Sequence, residues 1–341
     1  MCAPKLFRIT LDTNPEDCNL SCVMCEEHSP YSRFKQELFD ATGVRRRLMP
    51  KHLIERLFEQ AAALGVEEVI PSTMGEPLLY EHIELIYALA ERYGIKINLT
   101  TNGTFPRRSI EQWATLIIPR TSDIKISWNG ASAATYAQVM IGGNFDKALN
   151  HLKRFIALRN EYYAKTKYYC RITLQLTFMA HTMHELPEIV RLAAGLGVDR
   201  IKGHHLWAHF EEIKPYDIPS NTKYWKEWNS YVVACYEIVA GLQRSEGKEL
   251  ILENIYPLTE GQEQVKEEYI CPFLGRELWI SASGTISPCC APDKLRRTLG
   301  DFGSIYQTSL KEVLTSAQYL HLRQHYQEQP LCKTCNMRRP S

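Results

Sequence analysis

The sequence predicts an α/β fold built on parallel strands, and three observations carry that prediction. From Leu6 to Lys202, short apolar runs alternate with stretches whose apolar residues recur at helical spacing. Gly65 and Gly94 follow two of the helical stretches, where a left-handed residue ends a helix. Polar, turn-forming motifs follow the apolar runs, as loops follow strands in alternating architectures. Six strands separated by helices call for a parallel sheet with right-handed crossovers. Periodicity alone leaves open whether that sheet closes.

Taken in order, Leu6–Leu11 is a short strand that runs into a cysteine-rich loop. Residues 50–64 place Leu53, Ile54, Leu57, Ala61 and Leu64 on one helical face, with Pro50 suited to the first turn. Residues 66–71 form the second strand, 81–93 a helix and 95–100 the third strand. A helix over 109–118, a strand over 123–127 and a helix over 144–162 follow. A strand over 169–179, a helix over 184–196 and a strand over 199–205 complete the series. Residues 207–270 break the alternation with an aromatic-rich bridge and one helix near 222–244, where Trp225, Trp228 and Val232 read as packing. Gly247 and the polar run 260–268 mark the softest stretch. The expected division is therefore 1–206, 207–270 and 271–341.

Composition narrows the function classes. The chain has 341 residues, 45% of them hydrophobic, enough for one large domain with an appendage. Forty basic residues against thirty-nine acidic ones leave a net charge of +1, with no stripe for nucleic acid and no polybasic membrane patch. No apolar run reaches membrane-spanning length. Met1-Cys2-Ala3-Pro4-Lys5 lacks the apolar core of a signal peptide, so a cytoplasmic location is expected. Eleven cysteines in such a chain suggest metal or redox work rather than disulfides. Cys18, Cys22 and Cys25 form one group and Cys271, Cys289, Cys290, Cys332 and Cys335 another, whereas Cys2, Cys170 and Cys235 stand apart.

Cys18-Asn19-Leu20-Ser21-Cys22-Val23-Met24-Cys25 follows the first strand. Three thiolates at this spacing can hold three irons of a [4Fe–4S] cube and leave the fourth open. A zinc knuckle using His28 is the competing reading, although structural zinc usually takes four protein ligands in a closed site and no fourth Cys or favourably spaced His appears here. The C-x3-C-x2-C spacing resembles the cluster loop of the radical S-adenosylmethionine (SAM) superfamily. That resemblance implies a partial (β/α)6 TIM-type barrel and a [4Fe–4S] cluster whose open iron is chelated by SAM. Reductive cleavage of SAM would then give a 5′-deoxyadenosyl radical that removes a substrate hydrogen atom.

The resemblance extends to the loops after successive strands. Met74-Gly75-Glu76-Pro77 is similar to the superfamily's Gly-Gly-Glu motif for the SAM amino group, with Met74 replacing the first glycine. Thr100-Thr101-Asn102-Gly103 and Ser127-Trp128-Asn129-Gly130 look like SAM-contacting loops, although each also reads as a simple strand-to-helix turn. By the same resemblance Gln175 would meet the ribose and Met179 the adenine, with a core role for Met179 equally open. The implied cofactor-binding set is Gly75, Glu76, Pro77, Thr101, Asn102, Ser127, Gln175 and Met179. His204 and His205 close the sixth strand on opposite faces, and one of them would reach the barrel mouth.

In the last segment, residues 277–281 and 285–288 read as a β-hairpin and 309–326 as a helix, before Cys332-Lys333-Thr334-Cys335. So small a module calls for a metal to fold, as zinc or as a cluster. The layout resembles the SPASM/twitch extension of radical SAM enzymes, and most of all that of the aminocyclitol dehydrogenases of the butirosin pathway. It implies a second, auxiliary [4Fe–4S] cluster on Cys271, Cys289, Cys332 and Cys335, with Cys290 as spare. The expected activity is net oxidation of a sugar or aminocyclitol alcohol, with flavodoxin or ferredoxin as electron donor. The alternatives are a peptide-modifying radical SAM enzyme that epimerises or cross-links, and a zinc- or cluster-stapled protein without turnover. Cys235 would be the outlying hydrogen donor for the peptide chemistry, or simply a core thiol.

Overall fold

The computed structural model describes residues 5–72, 74–242, 250–259, 268–335 and 337–339. Its strands are β1 Arg8–Leu11, β2 Glu68–Ile70, β3 Lys96–Thr101, β4 Thr121–Ser127, β5 Arg171–Phe178, β6 Arg200–His205, β7 Ile251–Glu253, β8 Glu277–Ile280 and β9 Ile286–Ser287. The first eight helices are α1 Phe34–Thr42, α2 Lys51–Ala63, α3 Ile83–Tyr93, α4 Ile110–Ile117, α5 Ala133–Val139, α6 Phe145–Thr166, α7 Leu186–Leu196 and α8 Trp225–Gly241. Four short ones follow: α9 Asp293–Arg296, α10 Leu310–Thr315, α11 Ala317–His325 and α12 Pro330–Lys333.

Local chemistry sets these ends. Ser109 caps α4 in a reciprocal box with Gln112, and Asn144 caps α6 through the Lys147 N–H. Gly94 and Gly197 close α3 and α7 in the left-handed conformation. Every strand and helix expected up to residue 205 is present. Within that stretch two helices were not foreseen: α1 buries no side chain and so has no apolar stripe to read, and α5 spans only two turns. The helix expected over 309–326 is two helices, because Ser316 leaves helical geometry at ψ 146° and caps α11 with its own side chain.

Contacts divide the described chain into two compact units. Residues 1–17, 42–99 and 264–341 form the first, residues 18–41 and 100–263 the second. These units cut across the chain order of the three expected segments. In the first unit the strand order is β3-β2-β1-β8-β9, parallel throughout except that β9 runs antiparallel on β8. The expected C-terminal hairpin is thus joined to the first strand through β8, with Arg8 opposite Glu277.

In the second unit the order is β7-β6-β5-β4, all parallel. The alternation was expected to stop near residue 205, but it continues through α8 into β7. At three residues β7 is too short to show a periodicity. Its place is fixed by Glu253, which accepts from Arg200 at 2.7 Å and lies 2.7 Å from the Lys202 ammonium. Gly247 and residues 260–267 lie outside the described residues.

In each unit the strands present one apolar and one polar face. In the second unit Ile124, Ile126, Ile172, Leu174 and Ile201 are buried on one side. On the other, Asp123 accepts from Thr173 at 2.7 Å and pairs with Arg200. In the first unit Arg8 joins Glu68 and Glu277, and Asn98 donates to Glu68 at 3.1 Å. Charges this enclosed persist because each has an opposite charge and hydrogen bonds. Trp225 and Trp228 are buried on α8, with their indoles donating to the carbonyls of Ile218 and Tyr256.

Candidate functional site

The second unit presents Cys18, Cys22 and Cys25 on one loop, all half-buried. The loop is clasped to the end of α5: the Ser21 N–H donates to the Ile141 carbonyl at 2.9 Å and the Val23 N–H to Val139 at 3.0 Å. It then turns on itself, with Cys25 N–H on Cys22 and the Ser29 hydroxyl on Val23. N–H groups also converge on sulfur. Leu20 approaches Cys18 Sγ at 3.5 Å, and the Asn102 side-chain amide approaches it at 3.8 Å.

Burial drives the Cys22 thiol far above its ordinary value, and the neighbouring Cys25 and Cys18 add to the shift. Cys25 is pushed up to about 11, chiefly by burial and against the pull of the His28 and Glu27 N–H groups. Three thiolates can coexist here only with positive charge placed among them, which a cluster of iron ions supplies. Among the described residues no three His, Cys, Asp or Glu side chains converge as ligands of one ion. His28, the alternative zinc ligand, has its Nδ1 3.1 Å from the Lys35 ammonium.

Five more candidates lie in this unit. Thr101 and Asn102, both buried, end β3; the Thr101 hydroxyl accepts from the Gly103 N–H, and Asn102 joins Asn19 at 2.9 Å. Ser127 closes β4 directly opposite Gln175 in β5, and Gln175 lies 3.5 Å from His204 Nδ1. The structure therefore brings Ser127, Gln175 and His204 together on the polar face. It puts His205 on the other face, buried between Phe178 and Trp228. Met179 is fully buried just past β5. Asn129 uses its side chain to accept from the Thr177 N–H at 2.8 Å, an anchoring contact that a turn reading does not reveal.

In the first unit Gly75, Glu76 and Pro77 pack on the turn over 14–17 that leads to Cys18. The Glu76 N–H donates to the Asp17 carbonyl at 2.7 Å, and the Asn14 amide donates back to the Glu76 carbonyl at 2.9 Å. Gly75 has φ +71°, and a Cβ there would lie 2.4 Å from the Asn14 carbonyl oxygen. Glu76 is fully buried and accepts from the Leu78 N–H. Asn14 was missed by sequence reading; its only signal was a position before Pro15.

The same unit gathers the C-terminal thiols. Cys271, Cys289, Cys332 and Cys335 are near enough for their charges to oppose one another, and Cys290 belongs to the same group. Cys332 is pushed up to about 12 and Cys335 to about 11, mainly by burial. Cys289 and Cys290 lie in contact, and their mutual hydrogen bond lowers the Cys289 thiol while that bond and burial raise Cys290. Leu274 and Ala291 direct N–H groups at the sulfurs of Cys271 and Cys289, each at 3.4 Å. Arg338 pins the end of the module by donating to the carbonyls of Tyr269 and Cys332. Cysteine-rich and lined by N–H groups, this donor set fits an iron–sulfur group. Cys235, in contrast, is a fully buried thiol on α8.

Comparison with known proteins accords with this geometry. The family described as Radical SAM superfamily matches residues 15–193, and SPASM, described as an iron-sulfur cluster-binding domain, matches residues 271–336. SuiB of Streptococcus suis, solved bound to precursor peptide SuiA, superposes at a TM-score of 0.64 with 18% identity. That match covers 93% of this chain and 66% of SuiB, so the chain spans about two thirds of that protein. Native anSMEcpe with bound AdoMet and a peptide gives 0.62 at 14% identity, covering 97% of this chain and 88% of the other. BtrN in complex with AdoMet and 2-DOIA covers 98% and 94% at 13% identity, with a TM-score of only 0.47. No curated protein sequence matches the chain. At these identities the likenesses show the fold: α/β with a mostly parallel sheet, of the partial TIM-barrel type, plus a C-terminal module. Among the described residues no helix is long and apolar enough to cross a membrane.

Proposed function

Because this chain belongs to the radical SAM superfamily, we propose that it oxidises an alcohol carbon of a small sugar or aminocyclitol. It is an enzyme that uses SAM with a [4Fe–4S] cluster and carries an auxiliary cluster-binding SPASM domain. When bound, these groups supply a 5′-deoxyadenosyl radical that takes one hydrogen atom and an acceptor for one electron, so that with loss of a proton the alcohol becomes a carbonyl. Cys18, Cys22 and Cys25 would hold the first cluster, and Cys271, Cys289, Cys332 and Cys335 the second. By the resemblance of their motifs, Gly75, Glu76, Pro77, Thr101, Asn102, Ser127, Gln175 and Met179 would be the SAM-binding residues. The initiating electron would come from flavodoxin or ferredoxin.

The observation that carries the substrate class is a cavity of about 490 Å³ within the first unit. It opens at the C-terminal ends of β1 and β8, the end at which parallel α/β strands present their reactive loops. Its volume falls in the range of small-molecule sites. Asp12, Ser281, Ser283, Asp301, Ser304 and Gln307 give its wall many hydrogen-bonding groups, as a polyhydroxylated ligand requires. The wall continues to the auxiliary site through Ser287, whose hydroxyl accepts from the Cys289 N–H at 3.4 Å. The resemblance in cysteine layout to aminocyclitol dehydrogenases supports the same class, although the structural matches do not single those enzymes out.

A peptide substrate is the second reading, favoured by the peptides bound in SuiB and anSMEcpe. The deciding experiment is anaerobic reconstitution with iron and sulfide, then addition of SAM, dithionite and candidate substrates. Two clusters give about eight irons per chain. Deuterium passing from a labelled polyol into 5′-deoxyadenosine establishes the oxidation reading; transfer only from labelled peptides replaces it with the second. No 5′-deoxyadenosine with any substrate, or without one, overturns both.

A further inference from the structure

The second unit carries another feature beside the cluster loop: an open groove of about 600 Å³ between the loop after β3 and the start of α6. Arg107 and Arg108 line it from the loop, Lys147 and His151 from the helix, and no Asp or Glu is among its lining residues. Arg107, Arg108 and Lys147 are exposed. On a chain whose net charge is only +1, three fixed positive charges around one groove are a local concentration. Such a patch attracts an acidic macromolecule and speeds its encounter.

The groove also reaches the first cluster ligand through side-chain contacts. Asn19 belongs to its lining and is the residue next to Cys18. The Asn19 amide donates to the Thr104 hydroxyl at 3.0 Å, and Thr104 also lines the groove. Asn102 ties the two together: its amide donates to Asn19 at 2.9 Å and approaches Cys18 Sγ at 3.8 Å, while its Oδ1 accepts from Thr104 at 2.7 Å. A partner seated in this groove would stand one residue from a cluster thiolate.

The basic loop is held in an unusual shape. Phe105 and Arg107 both have positive φ, +46° and +68°, which non-glycine residues adopt at a cost of about 1 kcal/mol or more. Packing sustains it: Phe105 is buried, stacked on Phe155 with centroids 5.5 Å apart and edge-on to His151. Arg108 lies over the Trp113 ring at 4.8 Å. The two loop arginines are thus presented beside Lys147 by a rigid support.

We propose that an acidic one-electron carrier protein docks in this groove to reduce the N-terminal cluster. The inference rests on the radical SAM reading and adds where the electron enters. In the step itself the carrier's reduced flavin or iron–sulfur centre loses one electron and the bound cluster gains it, with no bond made or broken. The occupant is a protein rather than a small anion because the charges are exposed, come from two separate segments and rim an open groove.

The test uses the reconstituted enzyme with flavodoxin as the probe. Titration calorimetry with oxidised flavodoxin measures binding without turnover. The variant Arg107→Glu/Arg108→Glu/Lys147→Glu is expected to weaken binding at least tenfold and to flatten its salt dependence. SAM cleavage driven by reduced flavodoxin is expected to fall in parallel, while cleavage driven by dithionite stays at the wild-type rate. Unchanged flavodoxin affinity in the variant overturns the proposal, as would be seen if the groove served a small anion. Should the triple variant lose iron, the neutral pair Arg107→Gln/Lys147→Gln decides, with a threefold or greater loss of affinity expected and an unchanged affinity counting against it. A wild-type enzyme that cleaves SAM with dithionite but neither binds flavodoxin nor accepts its electrons also overturns the docking site. Failure with dithionite itself strikes the radical SAM reading instead.

Discussion

Asn102, at the end of β3, holds its side-chain amide 3.8 Å from the Sγ of Cys18 and 2.9 Å from the Oδ1 of Asn19. One amide thus meets a cluster ligand and its neighbour. Hydrogen bonds to ligating sulfur stabilise the reduced, more negative state and raise the reduction potential. Asn102→Ala is expected to keep the cluster but lower its potential by tens of millivolts, about what one hydrogen bond is worth. Redox titration followed by electron paramagnetic resonance checks this; an unchanged potential would show that the amide only shapes the loop.

Gly75 predicts a different kind of loss. Its positive φ and the 2.4 Å approach of a would-be Cβ to the Asn14 carbonyl leave no room for a side chain. Gly75→Ala should destabilise the first unit by roughly 2 kcal/mol or more. Because Glu76 is bonded to Asp17, immediately before Cys18, iron bound per chain should fall as well. Thermal unfolding and iron analysis of the variant read both effects, and wild-type values in both would refute the argument.

The two cysteine groups should separate two functions. Cys22→Ala is expected to abolish SAM cleavage. Cys332→Ala is expected to keep at least some cleavage and lose substrate oxidation. Full oxidation by Cys332→Ala would remove electron acceptance from the role of the auxiliary site.

Cys289 and Cys290 can be told apart by iron content. The Ala291 N–H is directed at the Cys289 sulfur at 3.4 Å, a contact that favours the thiolate, so Cys289 is the readier ligand. Cys289→Ala should lose close to half the bound iron, whereas Cys290→Ala should retain nearly all of it. The reverse pattern would make Cys290 the ligand.

His205 predicts a pH effect on stability. Burial, reinforced by the neighbouring His204, lowers its pKa to about 3, and among the described residues neither ring nitrogen has a hydrogen-bond partner. An unfolded histidine titrates near 6.5. As pH falls through that value the unfolded chain binds a proton that the folded chain refuses, so this stability is present above about pH 6.5 and is lost toward about pH 3. His205→Phe should flatten the loss of urea midpoint between pH 6.5 and 4.5 and leave the midpoint at pH 7.5 unchanged or higher. A variant as acid-sensitive as the wild type would assign the effect elsewhere.

The alternation of strands and helices was legible because each element carries its own period and its own stop signals. Gly94 ends α3, Ser109 starts α4, and the cysteine spacing announces the cluster loop within eight residues. Elements without a period were not legible: β7, three residues long, and α1, with no buried face. The break at Ser316 depends on one backbone angle within an otherwise helical run.

By itself the sequence determined the α/β class, both cysteine groups and the chemistry those thiols suit, since spacing and residue type are local properties. Tertiary structure alone decided the contacts between residues far apart in the chain. It paired β8 with β1, set Asn102 against Cys18, and put His204 with Gln175 while burying His205 against Trp228. It also drew Arg107 and Lys147 to one groove. Such pairings follow from which surfaces exclude water together, and that depends on how the whole chain packs.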